Sequence, residues 1–266
     1  MSSQEPLPAD NRFLSRLAPE DAAAVRPLLR RVSVTVDRIV VDQGTRITEV
    51  HFPIDAQFAN LIRFPDGSAI ETAVVGNEGL TGLAPFMADC PSGWEIMCRA
   101  SGEAWAASAA PLRALALERP GLMKRLLLLT DLYQLQAAQT AACNALHAVP
   151  DRIARWILTA TDLSPHESLA FRQEELGRLI GARRSTVSEA ASELKRRKFI
   201  AYGRGVIRIT DRVGLETAAC DCYRMMRPRL EAVTGPSRPI CVGWTTLEPP
   251  EAGPHFLPAS KEKPHG

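Results

Sequence analysis

At 266 residues the chain is long enough for one or two domains with real cores. It is 45% hydrophobic and 23% charged, an ordinary mix for a soluble globular protein, and no stretch approaches the about 18 uninterrupted apolar residues that a membrane span needs. The net charge of +2 hides an asymmetry: Arg172–Arg208 carries ten Lys/Arg against four Asp/Glu, whereas Val36–Ala110 carries four Arg against ten Asp/Glu, so only the first suits an anionic partner.

Residues 1–11 are polar and lack the apolar run of a secretory signal, so the sequence reads as cytoplasmic. Pro19–Arg30 is expected to be helical, with acids in its first turn and arginines in its last, and Pro27 to kink or end it early. From Val32 the period changes to two. Short strands are expected at Val32–Val36, Ile39–Val41, His51–Pro53, Phe58–Phe64 and Ala69–Val75, and again within Trp94–Trp105, with a hairpin turn at Pro65-Asp66-Gly67. Such spacing points to an antiparallel sandwich or barrel, which can hold a small ligand or serve as a packed scaffold.

Pro111 and Pro120 each open a helix, and Leu122–Leu146 contains no Pro or Gly. Leu122, Leu126, Leu129 and Tyr133 form one row at three-four spacing; Leu128, Leu132 and Leu135 continue into a second. Apolar residues therefore cover more of the circumference than one face needs. These seven are assigned to a homodimer interface, helix against helix as in a coiled coil. His147–Asp151 breaks the helix as a hinge, with His147 structural, and Asp151–Thr161 forms the next helix.

Phe171–Thr210 reads as a short helix (Gln173–Ile180), a glycine turn at Gly181, a second helix (Arg184–Lys198) and a hairpin about Gly203-Arg204-Gly205. That order is a winged helix-turn-helix, whose second helix enters the major groove of DNA. Leu176, Leu179 and Ile180 face Val187, Ala190, Ala191 and Leu194 across the turn. Arg183, Arg184, Ser185, Thr186, Ser188 and Glu189 are left for base edges: Arg suits guanine, Glu suits cytosine, and hydroxyls suit bases or phosphates. Gln173, Lys195, Arg196, Arg204 and Arg208 are the expected phosphate contacts.

Six cysteines, at 90, 98, 143, 220, 222 and 241, form no CxxC pair and no zinc-finger spacing with histidine. They read as reduced, several of them core-packed. Cys220 and Cys222, two apart on an expected helix, should face apart and share no metal. No nucleophile–base pair, metal set or phosphate loop marks an enzyme, and no cofactor or metal is expected.

The sequence resembles the Crp/Fnr family of bacterial transcription regulators over roughly Leu14–Arg224. The resemblance rests on Gln139–His147, Arg152–Leu158, Gly181–Ala191 and Asp211–Tyr223, the last read as a C-terminal helix. It implies an α+β fold: a cyclic-nucleotide-binding-like sensor domain at 12–118, built as an antiparallel β-barrel (jelly-roll-like), a long dimerisation helix at 119–148, and a winged helix-turn-helix at 149–224. The proline-rich segment 234–266 is read as disordered. Aligned on Gly181, the family's base-reading positions fall on Arg184, Ser185 and Glu189; the family often has Arg, Glu and Arg, so the operator is not transferable. Arg172 replaces the usual hydroxyl N-cap of the first helix, at about 1 kcal/mol. The family's nucleotide-binding stretches correspond to Gly79–Gly82 and Pro91–Trp94, where Pro91 replaces the phosphate-binding arginine and no ribose-binding glutamate is evident. Control by cyclic AMP is therefore not expected, and with Cys90 as the first cysteine the family's N-terminal iron–sulfur motif is missing. The implied partners are double-stranded DNA, a second copy of the chain and RNA polymerase, with the effector unknown. The alternatives are a sensor of a non-nucleotide metabolite, or a thiol redox switch through Cys143 or Cys220/Cys222, acting on the same DNA-binding domain.

Overall fold

The computed structural model describes residues 10–166, 168–170, 177, 180, 182–203 and 205–234. The chain begins with α1 (Pro19–Val25), which ends before Pro27; a 3₁₀ turn at Arg26–Leu28 takes the proline, and Arg30 already belongs to a strand. The strands are β1 (Arg30–Val34), β2 (Ile39–Val41), β3 (Glu49–Pro53), β4 (Gln57–Arg63), β5 (Ala69–Val75), β6 (Glu95–Ala100) and β7 (Gly102–Ser108). They form two antiparallel sheets, ordered β1-β7-β3 and β2-β6-β4-β5, a jelly-roll-like pair rather than a closed barrel. Phe52 and Phe58 from the two sheets are buried in one core with Phe13, Phe86 and Ile96. The β4–β5 hairpin turns at Pro65-Asp66-Gly67, where Gly67 takes the left-handed φ of 82° that glycine adopts without strain.

A short helix α2 (Leu83–Ala88) precedes β6, and α3 (Ala109–Glu118) follows β7. Pro120 opens α4 (Pro120–Leu146), a 27-residue helix about 40 Å long at 1.5 Å per residue. Its packing revises the interface assignment. Leu122, Leu126, Leu129 and Leu132 are all 1% exposed or less and lie in the chain's own sheet core. Tyr133 packs on the same core and donates its hydroxyl to Glu78 at 3.1 Å. Only Leu128 and Leu135 of the seven keep partial exposure without joining that core. The outward row is Lys124, Leu127, Asp131, Gln134, Ala138, Ala141 and Ala145, and Leu127 is 58% exposed. Two rows of leucine look alike in sequence; the sheets claim the wider stripe.

The junction of α4 with the sheets is tight. A Cβ on Gly79 would lie 2.8 Å from Leu129 Cδ2 and closer still to the Tyr133 hydroxyl. Beside it, Glu78 is fully buried and accepts from the Gly76 N–H at 2.9 Å as well as from Tyr133. Burial raises its pKa from 4.5 to about 7, against those hydrogen bonds and the charge of Arg12.

After the His147 break, α5 (Val149–Asp162) starts with Pro150 in its first turn. Its apolar face forms a second core with β8 (Ser168–Ala170), α6 (Arg184–Arg196), β9 (Ile200–Gly203), β10 (Val206–Ile209) and α7 (Arg212–Ala218). The third sheet is ordered β8-β10-β9. The expected hairpin is present, with β8 as an additional strand. Asp211 N-caps α7 through the Gly214 N–H at 2.9 Å. The single helix expected over Asp211–Tyr223 is instead two, because the chain leaves the helix at Ala219–Asp221 before α8 (Cys222–Thr234) begins. From there α8 runs back along α4, and Val233 reaches the first core, where its carbonyl accepts from Arg125 at 2.9 Å.

Candidate nucleic-acid interface

The position of α6 follows from its two faces. Val187, Ala190 and Leu194, at three-four spacing, are buried in the second core against Ile153, Ile157 and Ile207. Arg152 of α5 reaches the carbonyl of Ile180 and ties the residues ahead of α6 to the same helix. With that side locked, Ser185, Ser188, Glu189 and Ser192 fall on the opposite row. Arg183, Arg184, Ser185, Thr186 and Glu189 are exposed and Ser188 is half-buried. Arg183 is the N-cap and Arg184 the first residue of α6. All six expected base-reading residues are thus gathered at one helix end. Ser192 extends the row, which three-four counting from Ser188 would have found; its hydroxyl already donates to the Ser188 carbonyl at 2.7 Å.

The expected phosphate contacts are less uniform. Lys195 Nζ donates to the Tyr202 carbonyl at 3.1 Å, fastening the end of α6 to the wing. Arg196 is held by Glu193 in bonds of 2.6–2.9 Å, so a phosphate would have to compete with a carboxylate. Arg197 instead stacks on Phe199, 4.4 Å above the ring centroid. Arg208 is exposed on β10, alternating with buried Ile207. Gln173, Arg204, Leu176, Leu179, Gly181, the first helix over most of its length and Arg172 ahead of it all lie outside the described residues, as does the 235–266 segment.

The base of this module is fixed by a polar network. Asp162 accepts from Arg212 Nη2 at 2.6 Å and from the Tyr223 hydroxyl at 2.7 Å, joining α5, α7 and α8. The module also touches the sheets directly. Gln57 Nε2 donates to the Ala160 carbonyl at 2.7 Å, Asn77 N–H to the Leu163 carbonyl at 3.2 Å, and the Arg99 guanidinium stacks 4.2 Å over Trp156. The sheets therefore contact α5 and the residue after it directly, besides being joined to it through the long helix.

The stretches matching a nucleotide pocket are internally engaged. Leu80 is fully buried in the core, and the Thr81 hydroxyl accepts from the His51 N–H at 2.9 Å. Pro91 forms an isolated bridge with Arg46, and the Ser92 hydroxyl donates to the Trp94 carbonyl at 2.6 Å.

The cysteines depart from expectation. Cys90 is exposed; Cys98 is buried, which pushes its thiol up to about 11. Cys220 and Cys222 do not face apart, because the chain between them is not helical. Both turn towards Cys143 and His147, and the donor atoms of these four residues lie within 4.8 Å of one another. The signal was present as Cys143 and His147 four apart at a helix end and a Cys-x-Cys pair downstream, but 77 residues separate Cys143 from Cys220.

Residues 151–218 match the family model of the Crp-like helix-turn-helix domain. No curated protein matches the sequence. Among solved structures, FixK2 from Bradyrhizobium japonicum is similar with a TM-score of 0.64 at 15% identity, over 72% of this chain and 98% of that one. A transcriptional regulator of the CRP/FNR family from Thermus thermophilus gives 0.58 at 19% identity, over 71% and 98%. The c-di-GMP-responsive global regulator CLP from Xanthomonas campestris gives 0.56 at 15%, over 72% and 99%. At these identities the likeness is one of fold.

Proposed function

We propose that this chain, which carries a Crp-like helix-turn-helix domain within the fold of the Crp/Fnr regulators, is a sequence-specific transcription regulator that binds DNA as a homodimer. The observation that carries this reading is α6: one face is locked into a core, and the other presents Arg184, Ser185 and Glu189 at its N-terminal end beside a wing. That is the placement from which a recognition helix meets base edges in the major groove. Arg208 is the phosphate contact best supported by its place on β10; Lys195 and Arg196, also exposed, would have to leave the Tyr202 carbonyl and Glu193, and Arg204 and Gln173 are further candidates. Among the described residues no helix is long and apolar enough to cross a membrane.

The outward row of α4, with Leu127 between Lys124 and Asp131 and small alanines at 138, 141 and 145, is the face offered to a second copy. Small side chains let two helices approach closely. A two-fold pair would set its recognition helices about 34 Å apart, one DNA turn. Leu80, Thr81, Pro91 and Ser92 are spent on packing and internal bonds, so the sheet domain acts without cyclic AMP. Pro91 stands where the family's phosphate-binding arginine would, and the nearby Arg46 and Arg113 are both paired with Asp89, at 3.2 and 2.9 Å.

The test is selection of bound fragments from random DNA by the purified protein, with a palindromic site expected. Arg184→Ala and Glu189→Ala should each relax base preference at one position per half-site, at about 1–3 kcal/mol. If both variants keep the parent's preference at every position, α6 does not read this DNA. Arg208→Ala should instead weaken all sequences alike and reduce the salt slope by about one unit.

A further inference from the structure

Three thiols and an imidazole meet where the long helix ends. Cys143 lies in the last turn of α4, and His147 is the extended residue that caps it, its N–H still bonded to the Cys143 carbonyl at 3.0 Å. Cys220 lies in the turn between α7 and α8 and Cys222 opens α8; the non-helical step between them lets both side chains face the end of α4. Cys143, Cys220 and Cys222 are 0%, 8% and 2% exposed and form a cluster apart from the two larger cores. The Cys143 and Cys220 sulfurs are 3.5 Å apart, and Cys222 Sγ is 3.5 Å from His147 Nδ1.

These spacings are the edges of a metal-sized tetrahedron. With metal–sulfur bonds of about 2.3 Å and metal–nitrogen bonds of about 2.0–2.1 Å, a tetrahedral centre sets sulfur–sulfur edges near ~3.8 Å and sulfur–nitrogen edges near ~3.5 Å. The spread of all four donors, within 4.8 Å, needs only small side-chain adjustment to reach this. A cluster of several irons would hold its thiolates wider apart. Gln139, one turn earlier on α4, donates Nε2 to Cys222 Sγ at 2.9 Å, the kind of outer bond that orients a thiolate ligand. Arg155 lines the cleft that Cys222 also lines, where its charge offsets the net negative charge of three thiolates around a dication.

We propose that Cys143, His147, Cys220 and Cys222 bind one zinc ion in a closed Cys₃His site. Each thiol releases its proton as its sulfur–metal bond forms; His147 binds through the Nδ1 lone pair and keeps its ring proton on Nε2. With four protein ligands the site has no open position, which marks it as structural rather than catalytic. It staples the end of α4 to the α7–α8 turn across the Val149-Pro150 link, and so fixes the DNA-binding module to the helix offered for dimerisation. Metal binding at this site is read from the metal itself and is separate from DNA binding.

The experiment uses the full chain purified with zinc and freed of unbound metal. Elemental analysis should give about one zinc per chain, and cobalt exchange should give thiolate charge-transfer and intense tetrahedral d–d bands. In chelator competition, Cys222→Ser and His147→Gln should lose more affinity than Gln139→Ala, whose expected loss is about 10–100-fold. Cys90→Ser, which removes an exposed thiol outside the cluster, should match the parent. Gln139→Ala retains all four ligands, so it reports even if a ligand variant fails to fold. A parent chain that holds no zinc while its thiols remain reduced overturns the site. So does a Cys143–Cys220 disulfide formed in the presence of zinc, or a cobalt spectrum without thiolate bands.

Discussion

Leu129→Ala is expected to lower the unfolding free energy by about 2–5 kcal/mol, the range for removing a fully buried leucine and leaving part of its volume empty. Leu129 is fully buried, and its Cδ atoms lie against the backbone of Gly79, which has no side chain to swing into the space. The sheet-side loop is held at that point by its own contacts, so collapse is restricted and the upper half of the range applies. The measurement is urea unfolding at two protein concentrations well apart. A core residue loses the same free energy at both, with an unchanged slope. Leu127→Ala is the counterpart. At 58% exposure it should change folding of the single chain little and weaken dimerisation, read by sedimentation. If Leu129→Ala weakened only association while Leu127→Ala cost several kcal/mol in the isolated chain, the two faces of α4 would be exchanged.

This division of α4 shows where sequence reasoning reaches its limit. Period two exposed the strands, because alternating side chains leave a local trace, and Pro65-Asp66-Gly67 marked its hairpin by turn chemistry. The buried face of α6 was legible as Val187, Ala190 and Leu194, since only one side of that helix is apolar. On α4, however, leucines spread around the circumference, and periodicity cannot say which row meets the chain's own sheets. The β8 strand, three residues long, carries no period to read. The cysteine cluster was missed for a related reason. Helical geometry was carried through Ala219–Asp221, and under that assumption Cys220 and Cys222 point to opposite faces. One non-helical turn reverses the conclusion. Nothing local signals that turn beyond the short polar step at Asp221, and the partners lie on a helix far upstream.

Glu78→Gln is expected to stabilise the protein in a pH-dependent manner. The folded chain holds the Glu78 proton up to about pH 7, while a carboxyl at the ordinary 4.5 has released it much earlier. Between those values the folded state binds more protons than the unfolded state, so stability falls as pH rises through the window and levels off above it. A gap of roughly 2.5 units corresponds to at most about 3 kcal/mol. Glutamine removes the titration yet can keep the local bonds: its carbonyl can accept from the Gly76 N–H, and its amide can donate to the Tyr133 hydroxyl. Thermal or urea unfolding should therefore give variant and parent similar stability near pH ~4.5, with the variant ahead by up to about 3 kcal/mol near pH ~8. A difference that stays constant across this range would show that Glu78 does not carry the proton. Because Glu78 links the loop beside Gly79 to Tyr133 on α4, the same titration acts on the joint between the sheets and the helix. Ionisation there puts a charge into a fully buried site, and loosening α4 from the sheets at Tyr133 relieves it. The variant's flat profile should accordingly be matched by slower proteolysis around Tyr133, midway along α4, at alkaline pH than in the parent.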